Sequence, residues 1–114
     1  MWISPEIAAA AIAGHGMRRA LWLPGWEHKS VWGWDSGDQS LFAQLYRNGE
    51  DDLLPPAGKL WVSPPRYPQT GTAEVLAERI AAAAGEDKAA VLRAMAESLG
   101  DQDGARLREL ATVA

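Results

Sequence analysis

A chain of 114 residues with net charge −4 and no cysteine has the length of one domain, and it excludes disulfides, thiolate metal sites and cysteine nucleophiles. A chain of this length can bury roughly two thirds of its unfolded surface without covalent staples. Its basic residues form no block that would track phosphates, and no stretch approaches the roughly 20 apolar residues that span a bilayer.

The N-terminus, Met1-Trp2-Ile3-Ser4-Pro5-Glu6, has an acid where a secretory signal needs positive charge. Ser4-Pro5-Glu6 instead predicts a helix start: serine can cap, proline suits the first position, and the acid favours the positive end of the dipole. The helix continues through residues 7–13 and ends at Gly14-His15-Gly16. Being short, it is marginal alone, so Ile3, Ile7 and Ile12 are expected to dock.

Residues 20–63 read as strands over 20–23, 29–34, 41–47 and 59–62, where tryptophan, valine, phenylalanine and tyrosine favour a pleated surface. Asp35-Ser36-Gly37-Asp38-Gln39 is a hairpin signal, with Ser-Gly or Gly-Asp supplying positive φ. Asn48-Gly49-Glu50-Asp51-Asp52 is a second turn, followed by a looser Pro55-Pro56-Ala57-Gly58. Hairpin parity decides the faces. A loop of two or four residues puts Trp32 and Trp34 with Leu41, Ala43 and Leu45, leaving Val31, Gly33, Phe42, Gln44 and Tyr46 opposite. A three-residue loop would exchange the partners; the first arrangement is the favoured one. Either way both faces carry large apolar groups, so one should pack on helices and the other be covered by the N-terminal segment or a partner.

Residues 64–71 form a proline-rich linker that cannot join a sheet interior. Residues 72–84 then read as a helix with Ala73, Leu76, Ala77, Ile80, Ala83 and Ala84 on one face, stopped by Gly85. Asp87 is the expected cap of a second helix to about residue 99, striped by Val91, Leu92, Met95 and Leu99. A weaker third helix over 103–113 is anchored by Leu107 and Leu110. The fold class is therefore α+β: a three- to four-stranded antiparallel meander, a short N-terminal helix, and two to three C-terminal helices packed on the sheet. The expected organisation is one domain over 1–114: helix to residue 16, meander over 20–63, linker over 64–71, helical part over 72–114.

No catalytic signature appears. His15 and His28 lack further ligands at metal spacing, so no metal or cofactor is expected. Glu50-Asp51-Asp52 lacks the alternating acids of a calcium loop, and Gly33-Trp34-Asp35-Ser36-Gly37 has its serine misplaced for a nucleophile elbow. Phe42, Tyr46, Arg47 and Lys59 could form a stacking platform for single strands, but acids crowd the same loops. A helix-turn-helix over the C-terminal helices would offer Lys88 and Arg93 against Glu97; nucleic acid is not an expected partner.

The tryptophans carry the functional expectation. Five of the six, Trp22, Trp26, Trp32, Trp34 and Trp61, fall in one stretch. Such residues stiffen a small core or present an aromatic surface to a partner. The expected function is a non-catalytic protein–protein interaction module (adaptor, regulator or neutralising partner). It would use a sheet face or edge through Phe42, Tyr46, Trp61 and the loop residue Trp26, with another protein or a second copy as partner. The cysteine-free, arginine- and alanine-rich composition fits a bacterial cytoplasmic protein that does not enter a membrane. A Trp-lined small-ligand pocket between sheet and helices is the alternative, and an enzyme using His15 or His28 with an acid is third.

Overall fold

The computed structural model describes residues 2–49 and 59–114. The acidic turn from Glu50 and the Pro55-Pro56 loop lie outside the described residues. The chain runs α1 (Pro5–Ile12), β1 (Met17–Ala20), β2 (Val31–Asp35), β3 (Ser40–Tyr46), β4 (Lys59–Val62), α2 (Ala73–Ala84), α3 (Lys88–Ala96) and α4 (Asp101–Ala111). The strands form one antiparallel sheet in the order β1-β2-β3-β4, an α+β arrangement with one helix before the sheet and three after it.

The β2–β3 hairpin decides which side chains face the helices. Asp35 pairs with Ser40, leaving the four residues 36–39 in the loop, and Trp32 and Trp34 register with Ala43 and Leu41. The positive φ falls on Gln39 (51°), not on the Ser-Gly or Gly-Asp steps. The loop is held from within: Asp35 Oδ1 accepts from the Gly37 and Asp38 N–H groups at 2.8 and 3.1 Å, and Gln39 Nε2 donates to the Ser36 carbonyl at 2.7 Å.

Between sheet and helices, Trp32, Leu41, Leu45, Leu76, Ile80, Leu92, Met95 and Leu107 are fully buried. Trp32 Nε1 donates to Ser98 Oγ at 2.9 Å, and Ser98 Oγ donates to the Met95 carbonyl at 2.9 Å, so the indole dipole is satisfied where it is most enclosed. Trp34, on the same face, has a buried Nε1 with no hydrogen-bond partner among the described residues. Gly104 lets α3 and α4 approach closely, since a Cβ there would lie 2.8 Å from the Ala96 carbonyl oxygen.

Helix ends follow the sequence signals with three differences, the first being that α3 stops at Ala96 rather than near residue 99. Ser4 and Thr72 cap α1 and α2, accepting from the Ile7 and Val75 N–H groups at 3.3 Å, and Gly85 ends α2 in the left-handed conformation at φ 70°. Asp87 occupies the N-cap position of α3, but its side chain makes no cap bond. The third C-terminal helix starts at Asp101, two residues earlier than its pattern indicates.

α1 and α4 also cap each other. Asp103, buried near the start of α4, accepts from Ser4 Oγ and from the Glu6 N–H (3.1 Å) at the start of α1. Glu6 in turn accepts at 2.7 Å from the N–H of Gly100, the N-cap of α4. Each carboxylate thus sits at the positive end of the other helix, where it satisfies donors that the helix itself cannot.

Two expectations are corrected. β1 lies at Met17–Ala20, not at 20–23. Leu21 N–H still bonds the Ser30 carbonyl at 2.9 Å, and then the chain leaves the ladder with Leu21 and Leu23 buried and Trp22 outward. That alternation looks like a strand in sequence, but among the described residues no partner strand lies beside it. Of the three isoleucines expected to dock through α1, Ile7 is buried, whereas Ile3 is exposed and Ile12 is 88% exposed. Five helical steps put Ile12 about 140° around the axis from Ile7, so the two cannot share a face. The proline-rich linker is also tied to the sheet. Leu41 N–H donates to the Thr70 carbonyl at 2.9 Å, Thr70 N–H to Ser40 Oγ at 2.8 Å, and Gln69 Nε2 to the Asp38 carbonyl at 2.8 Å.

Candidate functional site

Strand register builds the outer face of the sheet. Arg18 opposes Gly33, which opposes Phe42. In the next row Ala20 opposes Val31, Val31 opposes Gln44, and Gln44 opposes Trp61. Tyr46 follows two residues after Gln44, and so on the same face. Phe42, Tyr46 and Trp61, singled out from the sequence, therefore share one side of the sheet, with Arg18 among them. The core cluster occupies the other side, and among the described residues none of the helices lies over this one.

The aromatics differ in access. Trp61, on an edge strand, is 49% exposed. Tyr46 is half-buried, and Phe42, on the inner strand β3, is only 9% exposed. The Arg18 guanidinium stands over the Phe42 ring at 5.7 Å from its centroid, covering apolar area while leaving its own charge in water. The accessible surface is thus an indole at the edge, a half-covered phenol, and an arginine seated on a phenyl ring. At the β2–β3 end of this face a depression of about 320 Å³ is lined by Arg18, Asp35, Asp38, Phe42, Gln44 and Ser63 among others.

Trp26 belongs elsewhere. It lies on the β1–β2 connection, as expected, but is 3% exposed and part of the core. The turn set by Trp26 N–H donating to the Leu23 carbonyl at 2.8 Å points the ring inward, and Arg47 covers it at 4.9 Å. It offers a partner no surface, and its cover draws Arg47 away from the platform considered with Phe42 and Tyr46. Arg18 is a residue of this face that its sequence neighbours give no reason to single out. Its register opposite a glycine next to Phe42 is a tertiary fact with no local signature.

The other candidate groups are dispersed. The His15 and His28 side chains are exposed, and among the described residues neither imidazole hydrogen-bonds an acid. Their backbone N–H groups serve the fold, donating to the Ala10 carbonyl and to Asn48 Oδ1, each at 2.9 Å. No group of three or more histidines and acids is placed to hold a metal ion among the described residues. Lys88 pairs with Glu78 at 2.9 Å. The space between sheet and helices, the alternative place for a ligand, is filled by Trp32 and its neighbours. No helix of the described residues is long and apolar enough to cross a membrane. No protein family, curated protein or solved structure matches this chain.

Proposed function

We propose that this protein is a non-catalytic docking module that binds another protein through the outer face of its sheet and the adjoining β4 edge. One observation carries the reading: a sheet with its helices on one side holds Trp61, Tyr46, Phe42 and Arg18 together on the other, and Trp61 is half exposed on an edge strand. Tryptophan, tyrosine and arginine are the residue types that dominate binding energy at protein interfaces. An aromatic edge strand can also accept a partner strand while its side chains enter the partner's pockets. Adaptor, regulator and neutralising partner are the roles that suit a domain whose visible asset is such a surface. The cysteine-free, arginine- and alanine-rich composition supports a bacterial cytoplasmic setting.

The test is affinity capture from lysate of the source organism with the wild-type chain and with Trp61→Ala as bait. Trp61 is a cleaner probe than Phe42, whose near-complete burial ties it to the fold. The expected result is a discrete partner retained by wild type and lost with Trp61→Ala, both baits having the same melting temperature. A partner captured equally by folded Trp61→Ala would refute the docking face.

A further inference from the structure

A second surface lies on the helical side, apart from the aromatic sheet face. Trp22, 56% exposed just beyond β1, and Pro24 form one wall of a groove of about 320 Å³ whose other lining residues are Ala90, Arg93, Ala94 and Glu97 of α3 and its C-terminus. At about 100° per residue those four positions fall within an arc of about 100°, so they form one face. Ala90 is partly exposed and Ala94 only 5% exposed, so the two form the floor of a shallow apolar depression, a shelf rather than projecting surface. Arg93 and Glu97 stand one turn apart, both exposed, and among the described residues neither is in an ion pair.

We propose that this groove is a self-association surface whose occupant is a second copy of the chain, docked about a two-fold axis with the two α3 helices antiparallel. The surface carries both halves of such a contact, a projecting indole and an alanine shelf that the indole does not fill. It also carries one positive and one negative charge in an order that an antiparallel partner complements. With the axis at the level of Met95, Arg93 of each copy faces Glu97 of the other, so two ion pairs form from one sequence, as an isologous interface requires. The small side chains let the helices approach, and each Trp22 closes over the partner's shelf. α3 is only nine residues long, so the dimer is weak and concentration-dependent.

Charge reversal tests the geometry. Sedimentation velocity over a concentration series should show wild type passing from monomer to dimer. Arg93→Glu alone and Glu97→Arg alone each place like charges across the axis and should remain monomeric. An equimolar mixture of those two variants should form a heterodimer, and Arg93→Glu combined with Glu97→Arg should restore the homodimer. Trp22→Ala should weaken association at least about tenfold, as expected for an anchor residue, while Trp61→Ala leaves it unchanged. The substitutions are on exposed side chains, and far-UV circular dichroism with melting temperature confirms the fold in each. Wild type that stays monomeric up to about 1 mM, the weak end of specific binding, overturns the proposal. So does a dimer indifferent to the single reversals, or one lost with Trp61→Ala, which moves the contact to the sheet.

Discussion

Replacing Gly33 by alanine should unseat β1. A Cβ at Gly33 would lie 1.8 Å from the Met17 carbonyl oxygen, 2.7 Å from its carbon and 3.0 Å from the Arg18 Cα. Real Cβ contacts essentially never fall under 3.0 Å, so the gap to the Met17 oxygen must open from 1.8 Å to at least that distance. The obstacle is backbone, so no rotamer change relieves it. Moving β1 that far breaks the ladder where Arg18 opposes Gly33 and lifts Met17, which is buried, off the core. Two lost backbone hydrogen bonds cost about 1 kcal/mol each, and partial exposure of a methionine costs about another 1 kcal/mol. The sum, about 3 kcal/mol, corresponds to a fall in melting temperature on the order of 10–20 °C for a domain of this size. Urea unfolding followed by tryptophan fluorescence measures it. Gly71→Ala is the control, since a Cβ there meets no atom within 4 Å. A Gly33→Ala protein within about 0.5 kcal/mol of wild type, the range of innocuous surface changes, would refute the account of why a glycine stands between Arg18 and Phe42.

Asp103→Ala removes the acceptor shared by Ser4 Oγ and the Glu6 N–H, leaving donors unpaired in a buried site; a loss of about 2–3 kcal/mol is expected in denaturant unfolding, with the N-terminal segment the first to gain protease sensitivity. The two indoles on the inner face of β2, Trp32 and Trp34, should respond differently to loss of the ring N–H. Trp32→Phe forfeits the bond to Ser98, whereas Trp34→Phe removes a donor that has no partner among the described residues. Trp34→Phe should therefore be the milder change by about 1–2 kcal/mol in paired melts, and equal costs would show that the Ser98 bond contributes nothing net.

Much of the architecture was legible locally because its signals are local. Ser4-Pro5 and Thr72 are caps whose side chains reach a backbone N–H three residues on, and Gly85 takes a left-handed φ that most residues avoid. The sorting of Trp32 and Trp34 from Phe42 and Tyr46 needed only the loop length between two strands, because side chains alternate with a period of two. The grouping of Phe42, Tyr46 and Trp61 needed one thing more, the register between β3 and β4.

What composition and spacing could not decide were the features set by atoms far apart in the chain. Met17–Ala20 became a strand, and the more strand-like segment after it did not, because only the former has β2 beside it. Trp26 is buried by a turn and by Arg47, 21 positions away, so its place on a loop says nothing about its access. Glu6 and Asp103 look like ordinary first-turn acids. Only the docking of α1 beside α4 makes each the cap of the other helix. Periodicity sets which residues of an element face the same way. Which of those faces meets another element, and which is left to water, follows from packing energies summed over the whole molecule.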